Sequence, residues 1–159
     1  MSGTPNRAKP ELSLAVQYAD GEAVLPARWR LRRWVQAALA RRATLTLRFV
    51  DAVEGRRLNR DFRGKDYATN VLTFAYGEGR ERRLEGDIVV CVPVLREEAK
   101  RQRLALEAHC AHLVMHGILH LQGWDHENEE EAQAMEAREV ALLARFGFGD
   151  PYGRQRGRG

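Results

Sequence analysis

Apolar and polar positions change period several times along the chain. Leu12, Leu14, Val16 and Tyr18 recur at every second residue, as in a strand. From Pro26, the positions Trp29, Trp34, Val35, Ala38 and Leu39 follow helical spacing, with proline placed early as helices allow. Leu45, Leu47 and Phe49 alternate with Thr44, Thr46 and Arg48, which predicts a half-buried strand. Val53 to Phe62 reads as a short helix and Asn70 to Tyr76 as a strand, followed by a polar loop from Gly77 to Arg83. Gly86 to Val92 is a near-continuous β-branched run, the pattern of a central strand buried on both faces. Pro93 then opens a helix to about Arg103, and two more helices are expected over about 106–122 and 128–146.

The predicted order β-α-β-α-β-β-α-α-α describes an α+β fold: a mixed sheet of about four strands packed with about five helices. With 159 residues the chain reads as one domain, its core over about 11–152. Residues 1–10 and 153–159 read as disordered ends, since the tail Gly153-Arg154-Gln155-Arg156-Gly157-Arg158-Gly159 has nothing apolar to bury. No apolar run is long enough to span a membrane, and Met1 to Lys9 lacks the apolar centre of a signal peptide, so a cytoplasmic protein without membrane partners is expected. Cys91 and Cys110 sit in apolar runs without CxxC spacing and read as buried thiols, not a disulfide. The net charge of +4 and pI near 9.4 mildly favour a polyanionic partner such as nucleic acid.

The segment Ala108 to Leu121 changes the picture. Apart from glycine and four histidines it is wholly apolar, the composition of a helix buried on almost every side. At 100° per residue, His109, His112, His116 and His120 fall within about an 80° arc and form one stripe. Buried imidazoles need partners, because an unpaired polar group in a core costs on the order of 1–3 kcal/mol. Past the helix the chain reads His116-x3-His120-x2-Gly123-x2-His126. His116 and His120 lie one turn apart, about 6 Å along the axis, and can share an ion. Gly123 can take the left-handed conformation that ends a helix, after which the chain turns back and delivers His126. Three imidazoles with one open position is the pattern of a catalytic zinc site, and one divalent ion, Zn2+, is expected at the end of this C-terminal helix. His112 stands about 12 Å along the axis from His120, too far to share the same ion, so it and His109 read as supporting histidines.

This spacing resembles the zinc motif of metzincin proteases with one change: the glutamate that follows the first histidine and acts there as general base is Gly117 here. What survives is Lewis-acid polarisation and activation of water. The whole segment His116-Gly117-Ile118-Leu119-His120-Leu121-Gln122-Gly123-Trp124-Asp125-His126 resembles the signature of the YbeY family, H-G-x-L-H-L-x-G-Y-D-H, with Trp124 in place of tyrosine. A second stretch agrees. Residues Leu58 to Phe74 are similar to the family pattern L-N-x-x-Y-R-x-K-D-x-P-T-N-V-L-S-F, with Phe62, Ala68 and Thr73 in place of tyrosine, proline and serine. Gly86-Asp87-Ile88 matches a third short motif, and the resemblance runs from about residue 12 to Tyr152.

The resemblance implies a metal-dependent, single-strand-specific endoribonuclease that matures ribosomal RNA at the 16S 3′ end and acts in ribosome quality control. It implies partners on the small ribosomal subunit and an Era-like GTPase. It carries the metal ligands onto His116, His120 and His126 and an activity-critical, RNA-contacting role onto Arg63. That role suits the chemistry, since a guanidinium stabilises phosphate charge bidentately. Asn70 and Thr69 are expected to fix their loop through side-chain–backbone bonds, Asp125 to hold the ligand loop, and Asp87 to orient a ligand or Arg63 or to make a structural bond. The glutamates between Glu127 and Glu139 read as a solvated helix surface, opposite an apolar face of Ala132, Met135, Leu142, Leu143 and Phe146. Two other functions compete: a metalloprotease with an unusual base, and a zinc-stabilised ribosome-assembly factor without cleavage activity.

Overall fold

The computed structural model describes residues 9–79 and 82–153. Four strands form one sheet in the order β1 (Leu12–Tyr18), β2 (Ala43–Val50), β4 (Leu84–Cys91), β3 (Val71–Glu78). The first three are mutually parallel, and β3 runs antiparallel to β4 at the edge. The helices are α1 (Arg28–Ala38), α2 (Ala52–Arg63), α3 (Val92–Arg101), α4 (Leu106–Leu121) and α5 (Glu129–Arg145), with a short 3-10 turn at Glu22–Val24. This is the α+β architecture expected from the periodicities.

Local chemistry sets several boundaries. Asp51 caps α2, its side chain accepting from the Glu54 amide at 2.8 Å, and Gly64 ends the helix in the left-handed conformation at φ 71°. Asn128 caps α5 in the same way, accepting from the Glu131 amide at 2.8 Å, with three glutamates in the first turn favoured by the helix dipole. Strand β4 stops at Cys91, and Val92 begins α3, one residue earlier than the proline suggests. Strand β3 runs on to Glu78, with a bulge between Ala75 and Gly77. The expectation of disordered ends falls on residues 1–8 and 154–159, outside the described residues. Pro10 is not loose: its carbonyl accepts from the Gln36 side chain at 2.9 Å.

The two faces of the sheet are used differently. Ala43, Leu45, Leu47 and Phe49 of β2, with Leu84, Ile88 and Val90 of β4, face the main core shared with α1, α4 and α5. The alternate residues Val50, Leu72, Val89 and Cys91 form a smaller cluster with Leu58 of α2. Both cysteines are buried free thiols, and burial pushes Cys110 up to about 12. No helix among the described residues is long and apolar enough to cross a membrane.

Helix α4 approaches the sheet closely because two glycines face each other's elements. A Cβ added to Gly117 would stand 3.3 and 3.4 Å from Ile88 carbons and 3.4 Å from Thr73 Cγ2. A Cβ on Gly86 would lie 2.9 Å from the Phe74 carbonyl oxygen and 3.1 Å from a Leu121 methyl. The backbone contact cannot be relieved by a rotamer change. Gly86→Ala is therefore expected to destabilise the fold by about 1–3 kcal/mol through overpacking. Urea denaturation measures this, and a midpoint equal to wild type would refute the close-approach argument.

Candidate functional site

The apolar sides of α4 pack on the sheet and α1, so its histidine stripe meets what remains: α3, α5 and the C-terminal segment. His109 Nε2 lies 2.9 Å from Glu98 of α3. Glu139 of α5 takes two histidines at once, with Oε1 2.6 Å from His112 Nε2 and Oε2 2.7 Å from His116 Nδ1. The Tyr152 hydroxyl donates to the same Oε1 at 2.5 Å. Glu139 is only 1% exposed, which corrects its reading as a solvated surface acid. Burial works to raise its carboxyl, but the bonds from His112, His116 and Tyr152 prevail and hold it down at about 2. Burial and the adjacent carboxylate push the Tyr152 hydroxyl far above its ordinary range.

Helix α4 ends in a Schellman turn. The Gly123 amide donates to the His120 carbonyl at 3.0 Å and the Trp124 amide to the Leu119 carbonyl at 3.1 Å, with Gly123 left-handed at φ 98°. The chain reverses here, as its glycine predicts. Asp125 then fixes the loop by accepting from the His126 amide at 2.8 Å. His126 is thereby brought back beside the helix, its ring 5.9 Å from that of His116 and 6.5 Å from that of His120.

Arg63, the last residue of α2, comes from the opposite side of the sheet. It reaches the edge strand β3, where its Nη2 donates to the Thr73 carbonyl at 2.8 Å. The result is a small cleft of about 130 Å³ lined by Arg63, Val71, Leu72, Thr73, His116, His120 and His126. All four site residues read from the sequence meet there. His112 and His109 do not line it. Asp87 also stays away: it lies on the sheet face opposite α4 and accepts from the Tyr76 hydroxyl at 2.7 Å, a structural bond. Asn70 holds its loop as expected, Oδ1 accepting from the Val71 amide at 2.7 Å.

Whether these residues suit an ion turns on which ring nitrogens are free. A carboxylate and a carbonyl only accept, so the proton of His116 sits on Nδ1 facing Glu139. That of His120 sits on Nδ1, 3.2 Å from the Trp124 carbonyl. Each Nε2 is left with its lone pair, and this protonated-Nδ1 support is what metal-bound histidines ordinarily have. The donor set fits a borderline-soft divalent ion. As the side chains stand, no three His, Cys, Asp or Glu among the described residues close on a point that would hold one.

The cleft lining contains no carboxylate. Gly117 faces the sheet, packed towards Ile88 and Thr73, so even a glutamate there would not point at the histidines. Fold and cleft together define an α+β protein with a site of histidines facing an arginine, suited to an anionic substrate.

Comparison with known proteins narrows that class. The family model described as "Endoribonuclease YbeY" matches residues 26–147. A protein of that name from Bordetella pertussis is 59% identical over 152 residues, covering 89% of this chain and 96% of its own. The one from Cupriavidus metallidurans is 53% identical over 154 residues, covering 95% and 78%. The solution structure of TM1509 from Thermotoga maritima superimposes with a TM-score of 0.57 at 25% identity, covering 91% of this chain and 93% of that one. The chain belongs to the endoribonuclease YbeY family.

Sequence reasoning missed Glu139, although a signal was present. Position 139 lies one turn after Met135 and one turn before Leu142 and Leu143, inside the apolar stripe, where an acid must have partners. Removing that acid strands His112, His116 and Tyr152. Glu139→Ala is expected to cost about 3 kcal/mol, roughly 6–12 °C in Tm. Thermal unfolding by circular dichroism tests this, and an unchanged Tm would show that the cluster contributes nothing to the fold.

Proposed function

We propose that the protein is a metal-dependent endoribonuclease that hydrolyses phosphodiesters in single-stranded ribosomal RNA. The observation that carries the reading is the cleft in which Arg63 faces His116, His120 and His126. In this reading His116, His120 and His126 hold one divalent ion, Zn2+, which supplies Lewis-acid polarisation when bound. Glu139 and the Trp124 carbonyl keep His116 and His120 in the tautomer that offers Nε2. Arg63 is anchored through one nitrogen to the Thr73 carbonyl, and its remaining N–H groups are available to a phosphate oxygen as charge grows on it. The family resemblance extends the substrate to the 3′ end of 16S RNA in the cytoplasm, and the partners to the small ribosomal subunit and an Era-like GTPase.

The protease reading lacks an acid in the cleft and has no use for an arginine poised at its wall. A purely architectural metal does not need three histidines gathered at an open cleft.

His120→Ala and His126→Ala should lose the ion, while His112→Ala keeps it and loses stability, because His112 meets Glu139 outside the cleft. Elemental analysis of the three purified variants tests this. Full stoichiometry in both of the first two would remove the assignment.

Arg63→Ala should keep fold and metal content while slowing RNA cleavage about 10²-fold or more, the scale of losing one preorganised donor. Arg63→Lys should restore part of the rate, since an ammonium keeps the charge without the fork. Single-turnover cleavage of ribosomal RNA carrying single-stranded segments is the measurement, with casein as the control substrate. Wild-type rates in a folded, metal-loaded Arg63→Ala protein would exclude Arg63 from the mechanism.

A further inference from the structure

A second and larger cavity, about 470 Å³, adjoins the cleft and shares Val71 and His116 with it as common wall. That volume lies within the range of about 300–1,000 Å³ typical of pockets for small organic groups. The cavity's charge is opposite in kind to that of the cleft: the lining includes the carboxylates Glu98 and Asp150 and no lysine or arginine. A phosphate would be repelled there. A neutral group carrying N–H donors would be held.

Glu98 is the built part of this cavity. Its side chain is 19% exposed and is fixed from two directions. His109 Nε2 lies 2.9 Å from Oε1, and the Asn70 amide nitrogen lies 3.1 Å from Oε1 and 3.3 Å from Oε2. Each carboxylate oxygen accepts about two hydrogen bonds, so Oε2 keeps an accepting position after these contacts. Asn70 is itself anchored through the Val71 amide, and the His109 ring is buried, with Nδ1 unpartnered among the described residues. Leu104 and Leu113 give the cavity apolar wall.

We propose that this cavity binds the nucleobase next to the scissile phosphate, and that Glu98 selects bases bearing an exocyclic amino group over uracil. The proposal rests on the ribonuclease reading above. Adenine, cytosine and guanine each present an amino N–H to an acceptor, and a carboxylate is the natural partner of such a group. Uracil has no exocyclic amino group: it presents carbonyl oxygens at those positions and keeps only its ring N3–H as a donor, so it offers the carboxylate fewer hydrogen bonds and sets an oxygen against it. Because cleft and cavity share a wall, one nucleotide can place its phosphate against Arg63 and its base against Glu98. The cationic wall takes the charged part of the nucleotide and the acidic wall takes the neutral part.

Binding is tested apart from cleavage. Short RNAs with a uniform non-cleavable backbone, carrying A, C, G or U at one central position, are titrated into the full-length protein. The Asn70 side-chain amide, held by Glu98, is followed by NMR. Wild type should bind the uracil RNA about tenfold more weakly than the amino-bearing ones, the scale of one hydrogen bond to a charged group. Glu98→Gln should level the four affinities, with circular dichroism confirming its fold. Leu104→Trp, which fills the cavity, should abolish the Asn70 response and the base preference, and keeps the test open if Glu98→Gln does not fold. Equal affinities in wild type, or an unchanged preference in Leu104→Trp, would overturn the proposal. Absence of RNA cleavage by wild type, with the binding preference intact, would overturn the ribonuclease reading and leave the base site standing.

Discussion

The Glu139 carboxylate is the interaction on which the site depends. A carboxylate this deeply buried costs several kcal/mol unless its lone pairs are taken up, and here His112, His116 and Tyr152 take them. The consequence is directional. By accepting from His116 Nδ1, Glu139 decides which nitrogen of that ring faces the cleft, and it ties α5 and the C-terminal segment to the helix that carries the histidines. Stability and chemistry are thus coupled through one side chain: the group that satisfies the buried polar stripe also sets the tautomer.

The edge position of β3 is the second constraint. An edge strand has backbone groups without a neighbouring strand. One of these, the Thr73 carbonyl, receives Arg63. The arginine belongs to a helix on the far side of the sheet and meets α4 histidines only because no further strand blocks the way. A fifth strand beside β3 would close the cleft.

Much of this was legible in the sequence. The periods of two in β1 and β2, the apolar helix with its histidine stripe, and the helix-ending Gly123 each appear as local pattern, and local pattern is where physics is short-range. Strand order is not local: nothing in Val71–Glu78 says that β3 pairs with β4 alone, so the edge that admits Arg63 could not be read. Asp87 sat in a motif and next to a glycine that faces α4, yet the alternation of the strand turns it to the opposite face, onto Tyr76. Glu139 was hidden by its neighbours. Among five other acids from Glu127 to Glu136 and on a helix with a polar side, one acid inside the apolar stripe looked like one more solvated residue.

Gly117 shows how packing fixes reaction class. In a helix laid at ordinary distance from a sheet, the residue after a ligand histidine has room for a side chain. Here α4 lies close on Ile88 and Thr73 at that position: a Cβ would stand 3.3–3.4 Å from their side-chain carbons, so even a methyl group would be in tight contact with the sheet. The position that holds the base in a metzincin is spent on helix–sheet contact. The same contact brings the histidines down to the level of β3, where Arg63 can face them. The close approach takes the place of a carboxylate base, and the open edge of β3 admits the facing guanidinium. Together they make the cleft a poor site for a neutral peptide bond and a good one for the charged bond of a phosphodiester.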